Sequence, residues 1–296
     1  MHEIDLVKLH FDPNVLRFLN FILGFILFGI SLDLKLDDFR NILIMPKSVL
    51  VGLIGHSVLL PLLTFLLVII IKPHPSLALG MILVAACPGG HMANFMTHTA
   101  KGNTALSVSI SALSTLLAAF LTPFNFQFWG SKVPYLQDIM KQFDLSFVEM
   151  MQTVLVLVVL PLLLGLGCAI KFPNFANKIK KPIKILSLLF FFGFLVLGIF
   201  ANYKSFQGFL LLVAGLVILH NSLALLSGFL FGKLCRLPYA DQKTMAFEVG
   251  IQNTGLGLIL IFNFFNGLGG MAMIAAFWGV WHMVSGFSLS YYFSKK

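Results

Sequence analysis

The sequence predicts an all-α membrane protein of nine transmembrane helices arranged as an inverted repeat, and three observations carry that prediction. Apolar runs are too long for a water-soluble core, basic residues segregate between alternate loops, and polar interruptions recur at matching places in the two halves. Of 296 residues, 58% are hydrophobic and only 10% charged. A soluble domain of this size needs more charge to cover its surface. Ser48–Ile71 and Phe147–Ile170 hold a single charged residue between them, Glu149, and about 20 apolar residues in a helix match the hydrocarbon thickness of a bilayer. The alternating segments of a β-barrel are absent.

Charged residues and Pro/Gly punctuation delimit the spans in order. The run 15–32 stops at Asp33, and 48–71 lies between Lys47 and Lys72. The run 77–100 contains Pro88-Gly89-Gly90 and ends at Lys101, and 104–124 follows Gly102-Asn103. The run 147–170 closes at Lys171, 185–201 follows the basic stretch ending at Lys184, and 207–231 stops before Lys233. The last two, 244–265 and 270–293, are separated by Asn266-Gly267 and finish at Lys295-Lys296.

An odd number of spans puts the two termini on opposite sides. Fourteen basic residues then fall on one side, including Lys35, Arg40, Lys47, Lys101, Lys171, Lys178, Lys180, Lys181, Lys184, Lys233, Arg236 and Lys243. Six fall on the other: Lys8, Arg17, Lys72, Lys132, Lys141 and Lys204. Positive charge is retained in the cytoplasm, which predicts an inner-membrane protein with its N-terminus outside and its C-terminus inside. The net charge of +9 therefore reads as membrane topology, and no nucleic-acid partner is expected. Cys87, Cys168 and Cys235 have no metal-ligand spacing. The acidic N-terminal stretch lacks the layout of a secretory signal.

The two halves repeat one another. The first span ends LFGISLDLK and the sixth VLGIFANYK, while the second carries His56 and the seventh His220, each followed by small polar residues. The third and eighth each hold a Gly-rich polar interruption, CPGGHMAN and EVGIQNTGLG. The first span begins outside and the sixth inside, so the halves are inverted. Inverted repeats with broken helices in matching positions point to a secondary transporter with its site near the midplane.

Both interruptions carry chemistry. Pro88 removes a helical donor and Gly89-Gly90 permit unwound backbone, which membrane proteins tolerate only beside protein or a wet cavity. A lone proline would give a simple kink, but His91 and Asn94 follow it and the eighth span has its own break. Freed amides and half-helix N-termini attract anions, and freed carbonyls suit cations. Glu248 lies about one turn inside the eighth span, and an acid there is costly unless it faces a cavity, pairs or binds an ion. The rival reading, that it reaches the interface near Lys243, fits the short carboxylate side chain less well. A hard cation takes oxygen ligands, one of them usually anionic, and Glu248, Gln252, Asn94 and unwound carbonyls can supply them. Ser107, Ser111 and Ser114 share one helix face, as they also would for ordinary small-residue packing. His56, His220, Asn221 and His282 read first as hydrogen-bonded packing residues.

These motifs are familiar. CPGGHMANFMTHTAKGNTALSVSISALSTLL and LPYADQKTMAFEVGIQNTGLG, with VILHNS and FWGVWHMVSG, resemble the bile acid:sodium symporter family from about residue 20 to the C-terminus. The resemblance implies two crossing broken helices and two domains: panel helices at 15–32 and 147–201, and core helices at 48–124 and 207–293. It implies one sodium site from Asn94, Ser107, Ser111 and Glu248, with Ala93 replacing a usual hydroxyl. A second site would use Glu248, the carbonyls of Val249 and Ile251, and Gln252, with His56 in place of a usual Gln. An imidazole nitrogen is a poorer sodium ligand than an amide oxygen, so one or two ions, and a proton role for His56, stay open. The substrate position implied lies near His91, Asn253 and Thr254, where a carboxylate or sulfonate is favoured.

The expected function is sodium-coupled symport of an organic anion by alternating access. The alternatives are a proton-coupled or efflux carrier of the same architecture, or an intramembrane enzyme. No H-E-x-x-H, paired aspartates or Gly-x-Ser-x-Gly elbow supports an enzyme. The partners expected are Na+, a small organic anion and membrane lipid, with the chain a monomer or weak oligomer.

Overall fold

The computed structural model describes residues 13–143, 146–201 and 208–296. All its regular structure there is helical, and the only extended pairing among the described residues is an isolated antiparallel bridge between Gly89 and Gln252. Helix α1 is Pro13–Ser31, α2 Leu36–Ile44, and α3 runs over Pro46–Ile71. Helix α4 is Pro75–Ala86, α5 Met92–Thr99 and α6 Thr104–Ser131. A short α7 (Gln137–Gln142) leads to α8 (Phe147–Lys171), α9 (Pro173–Ala201) and α10 (Leu210–Leu234). The chain closes with α11 (Tyr239–Gly250), α12 (Thr254–Phe264) and α13 (Gly269–Ser294).

Five of these helices, α3, α6, α8, α10 and α13, are long and apolar enough to cross a membrane, and Asn20–Ser31, α4 and α12 are shorter apolar helices. The run 77–100 is thus two helices with a gap, as its Pro-Gly-Gly predicts. The sixth run differs from expectation. Helix α9 starts at Pro173 and passes through Pro182, so the lysines expected in a loop ride on its first turns. One of them, Lys180, pairs with Asp33 at 3.4 Å.

Proline sets the local shape of two long helices. In α3 the turn Gly55–Leu59 is a π-turn just before Pro61, and in α8 Leu155–Val159 is a π-turn just before Pro161. A proline ring clashes with the carbonyl four residues back, and the wider turn makes room for it. His56 therefore sits inside a π-turn rather than on a regular helix face.

Helix α1 packs against α8 and α9, α4 against α13, and α10 against α11. The last contact is close because Gly228 has no side chain: a Cβ there would strike the Met245 carbonyl and the Val249 Cβ. Leu60, Leu79, Leu83, Leu260, Ile274 and Trp278 are fully enclosed where these helices meet. Leu43, Ile70 and Leu211 are exposed, which suits a surface that faces hydrocarbon rather than water.

Candidate cation-binding site

The two broken helices meet at their breaks. Cys87, before Pro88, is extended at φ −68° and ψ 153°, as a residue preceding proline prefers. Ile251, after Gly250, is extended at φ −111° and ψ 108°. The two extended stretches run antiparallel. The Gly90 N–H donates to the Ile251 carbonyl at 2.7 Å, and the Asn253 N–H donates to the Pro88 carbonyl at 2.9 Å. A Cβ on Gly90 would lie 2.9 Å from the Gln252 carbonyl oxygen, so this close approach needs glycine. Beyond the breaks the chain turns helical again at Met92 and Thr254.

Glu248 is completely buried at the end of α11. Its Oε1 lies 2.5 Å from Ser107 Oγ and 3.2 Å from Ser111 Oγ, and its Oε2 lies 3.0 Å from Ser111 Oγ. Asn94 Oδ1 completes the group, 2.8 Å from Ser107 Oγ and 3.3 Å from Ser111 Oγ. Each hydroxyl carries one proton, while the amide oxygen and both carboxylate oxygens only accept. The approaches thus outnumber the protons available to serve them. Among the described residues no basic side chain forms an ion pair with Glu248, and Lys243 instead donates to the carbonyls of Ala100 and Phe293, each at 3.0 Å. A buried anion without a counter-charge is costly. Converging oxygens around one carboxylate are the donor set a hard cation requires, and they fit sodium. Among the described residues no His/Cys/Asp/Glu group suited to a transition metal occurs.

The other expected set is arranged differently. The Gln252 Nε2 donates to the Val249 carbonyl at 2.8 Å and lies 3.4 Å from His56 Nδ1, while Gln252 Oε1 is buried without a partner. His56 is buried against the second break through this contact with Gln252. The Ile251 carbonyl already accepts from Gly90. These residues are neighbours at the second break, and Gln252 Oε1 is the oxygen among them that no hydrogen bond serves.

The positions expected for substrate also separate. Asn253 accepts the Leu256 N–H at 3.1 Å and so caps α12, while the buried Thr254 donates its N–H to the Gln252 carbonyl at 3.0 Å. His91 stands at the start of α5, partly exposed, with its Nε2 buried and unpartnered. His91 thus keeps a buried polar atom without a partner beside the first break.

Sequence reading gave Asn221 only as a packing residue and missed a second group. Asn221 donates to the Gly250 carbonyl at 2.8 Å and accepts from Ser285 Oγ at 2.6 Å, so it satisfies a carbonyl freed by the break. Its signal was an amide inside an apolar run, which also fits plain packing. On the side of the 100–104 connection, Asp241 accepts from Ser48 Oγ at 2.7 Å and from Asn103 Nδ2 at 2.9 Å. Both Asp241 and Lys243 are buried, although each reads as a loop charge. His220 does pack as expected, 2.6 Å from Thr64 Oγ1 and edge-on to Trp278.

Comparison with known proteins agrees with this architecture. The model of the Sodium Bile acid symporter family matches residues 20–209. The chain is 35% identical to a Bacillus subtilis (strain 168) protein described as an uncharacterized sodium-dependent transporter, over 94% of this chain and 84% of that one. It is 31% identical to a probable chloroplastic sodium/metabolite cotransporter of Arabidopsis thaliana, over 78% of this chain and 56% of that one. It is 26% identical to the P3 protein of Homo sapiens, over 85% of this chain and 52% of that one. The chain thus spans most of the bacterial relative and about half the length of the plant and human ones. An integral membrane protein whose bacterial and plant relatives are named a sodium-dependent transporter and a probable sodium/metabolite cotransporter, this chain belongs to the sodium bile acid symporter family.

Proposed function

We propose that this chain is a secondary active carrier that couples one sodium ion to an organic anion by alternating access, with Glu248 as the ion's anchor. The observation that carries the reading is the buried Glu248 carboxylate among Asn94, Ser107 and Ser111, with more acceptors than protons. Nine spans in two inverted halves accommodate the two breaks, with panel helices at 15–32 and 147–201 and core helices at 48–124 and 207–293. The packing of α1 on α8 and α9 supports that division. The N-terminus lies outside and the C-terminus in the cytoplasm, as the basic residues are distributed.

A cation at Glu248 neutralises the buried charge and ties α5 and α6 to α11. That fixes both breaks, and with them the half-helix starts at Met92 and Thr254, whose amides attract an anion. His91, with its free ring nitrogen, is the side chain placed to contact a carboxylate or sulfonate there. Coupling of this kind is reciprocal, so the anion must tighten sodium by the same factor. A proton-coupled variant is the second reading, since His56 is a buried titratable group beside Gln252 at the second break.

The test is thermal stability of the purified protein with sodium or choline chloride, across a panel of small organic anions. Sodium alone should raise the melting temperature, sodium with the correct anion should raise it further, and Glu248→Gln should remove both effects. A Glu248→Gln protein that keeps its full sodium response overturns the assignment.

A further inference from the structure

Beyond the Glu248 cluster, α6 carries its polar face onward. Ser107, Ser111, Ser114, Ala118, Thr122 and Asn125 recur at helical spacing and share one side of the helix, and all are buried. A small cavity of about 10 Å³ lies against the far part of this face, lined by Ser114, Thr122 and Asn125 with His56 and Pro88 opposite. That is the lower limit for holding one water molecule. Thr122 is fully buried and its Oγ1 has no hydrogen-bond partner, which is costly for a polar group. Thr122 lines the cavity together with Ser114, Asn125 and His56, so polar side chains surround the space where a packing defect would be apolar.

The cavity adjoins the ion cluster. A Cβ built on Gly89 would lie 3.5 Å from Glu248 Oε2 and 3.7 Å from Ser114 Oγ, so the carboxylate and the cavity-lining serine both neighbour this glycine. The opposite approach is stitched shut. Asn103 bonds Asp241 and Thr244, Ser48 bonds Asp241, and Lys243 spans the carbonyls of Ala100 and Phe293. We infer that the Ser114–Thr122–Asn125 cavity is a transit site for a monovalent cation, through which sodium reaches Glu248 from the side of α6 remote from the 100–104 connection. This inference rests on the proposed role of Glu248 as the cation anchor.

A transit site changes rates without changing the equilibrium at the destination. The experiment is isotope dilution of bound 22Na+ from the purified full-length protein, alongside the equilibrium sodium midpoint. Thr122→Val keeps the shape and removes the hydroxyl. It should slow 22Na+ release and uptake by about tenfold, because the ion loses one oxygen ligand in transit, with the midpoint within about twofold. Thr122→Ser should exchange like the wild type, and Ser114→Ala supplies a smaller change should Thr122→Val fold poorly. Unaltered exchange in both Thr122→Val and Ser114→Ala, with a wild-type sodium response that Glu248→Gln abolishes, overturns the route alone. A wild type that binds no 22Na+ overturns the Glu248 reading and the route with it.

Discussion

The two sides of the crossing differ in how their polar atoms are served. Toward α6, the oxygens of Asn94, Ser107, Ser111 and Glu248 crowd together with too few protons between them. Toward α3, Gln252 gives its amide donor to the Val249 carbonyl and lies beside His56. The first side has several lone pairs to spare. The second leaves a single side-chain oxygen, Gln252 Oε1, without a donor. Proximity to the same carboxylate therefore does not make two sites alike; the ratio of donors to acceptors separates them.

The largest effect should come from removing the charge itself. A ligand at 100 times its dissociation constant stabilises the native state by about 2.7 kcal/mol, and Glu248→Gln should lose that whole increment while its melting temperature in choline stays near or above wild type. Next come Ser107→Ala and Ser111→Ala, each expected to weaken sodium by about tenfold, the value of one bond to a charged group. A sodium titration of melting temperature reads both, and an unchanged midpoint in the double variant would break the comparison on its first side. Asn221→Leu should destabilise the fold by about 1–3 kcal/mol because the Gly250 carbonyl is left unpaired. Chemical denaturation in detergent would reveal this, with Ser285→Ala showing a smaller loss. The smallest change is expected from His56→Gln, with a sodium midpoint within about threefold and a Hill slope still near one. A slope that climbs toward two would show that the α3 side can be converted into a second ion site, and would erase the distinction drawn above.

Much of this site was legible before any coordinates. Pro88-Gly89-Gly90 cannot continue a helix, and Glu248 in an apolar run demands a reason, so both breaks and their chief acid were visible from residue chemistry alone. That Gly89 and Gln252 lie against each other was not, because an isolated bridge between distant segments leaves no periodic trace. The arrangement of the second expected set was hidden for a related cause. Residue types suited a cation, but the orientation of the Gln252 amide depends on the Val249 carbonyl and His56 around it. Asp241 and Lys243 were misplaced because counting charges treats each as a loop residue. Lys243 instead lies beneath the Tyr239 ring, 4.8 Å from its centroid, with its ammonium on two carbonyls.

That buried stitching has a mechanical consequence. Asp241 and Lys243 join the connection between α5 and α6 to α11 and to the end of α13, so helices on either side of the crossing are riveted at one rim as well as at the middle. Two such fastenings resist hinging between the halves. Any large movement of α5, α6, α11 and the end of α13 is then easier as one riveted block than as separate helices.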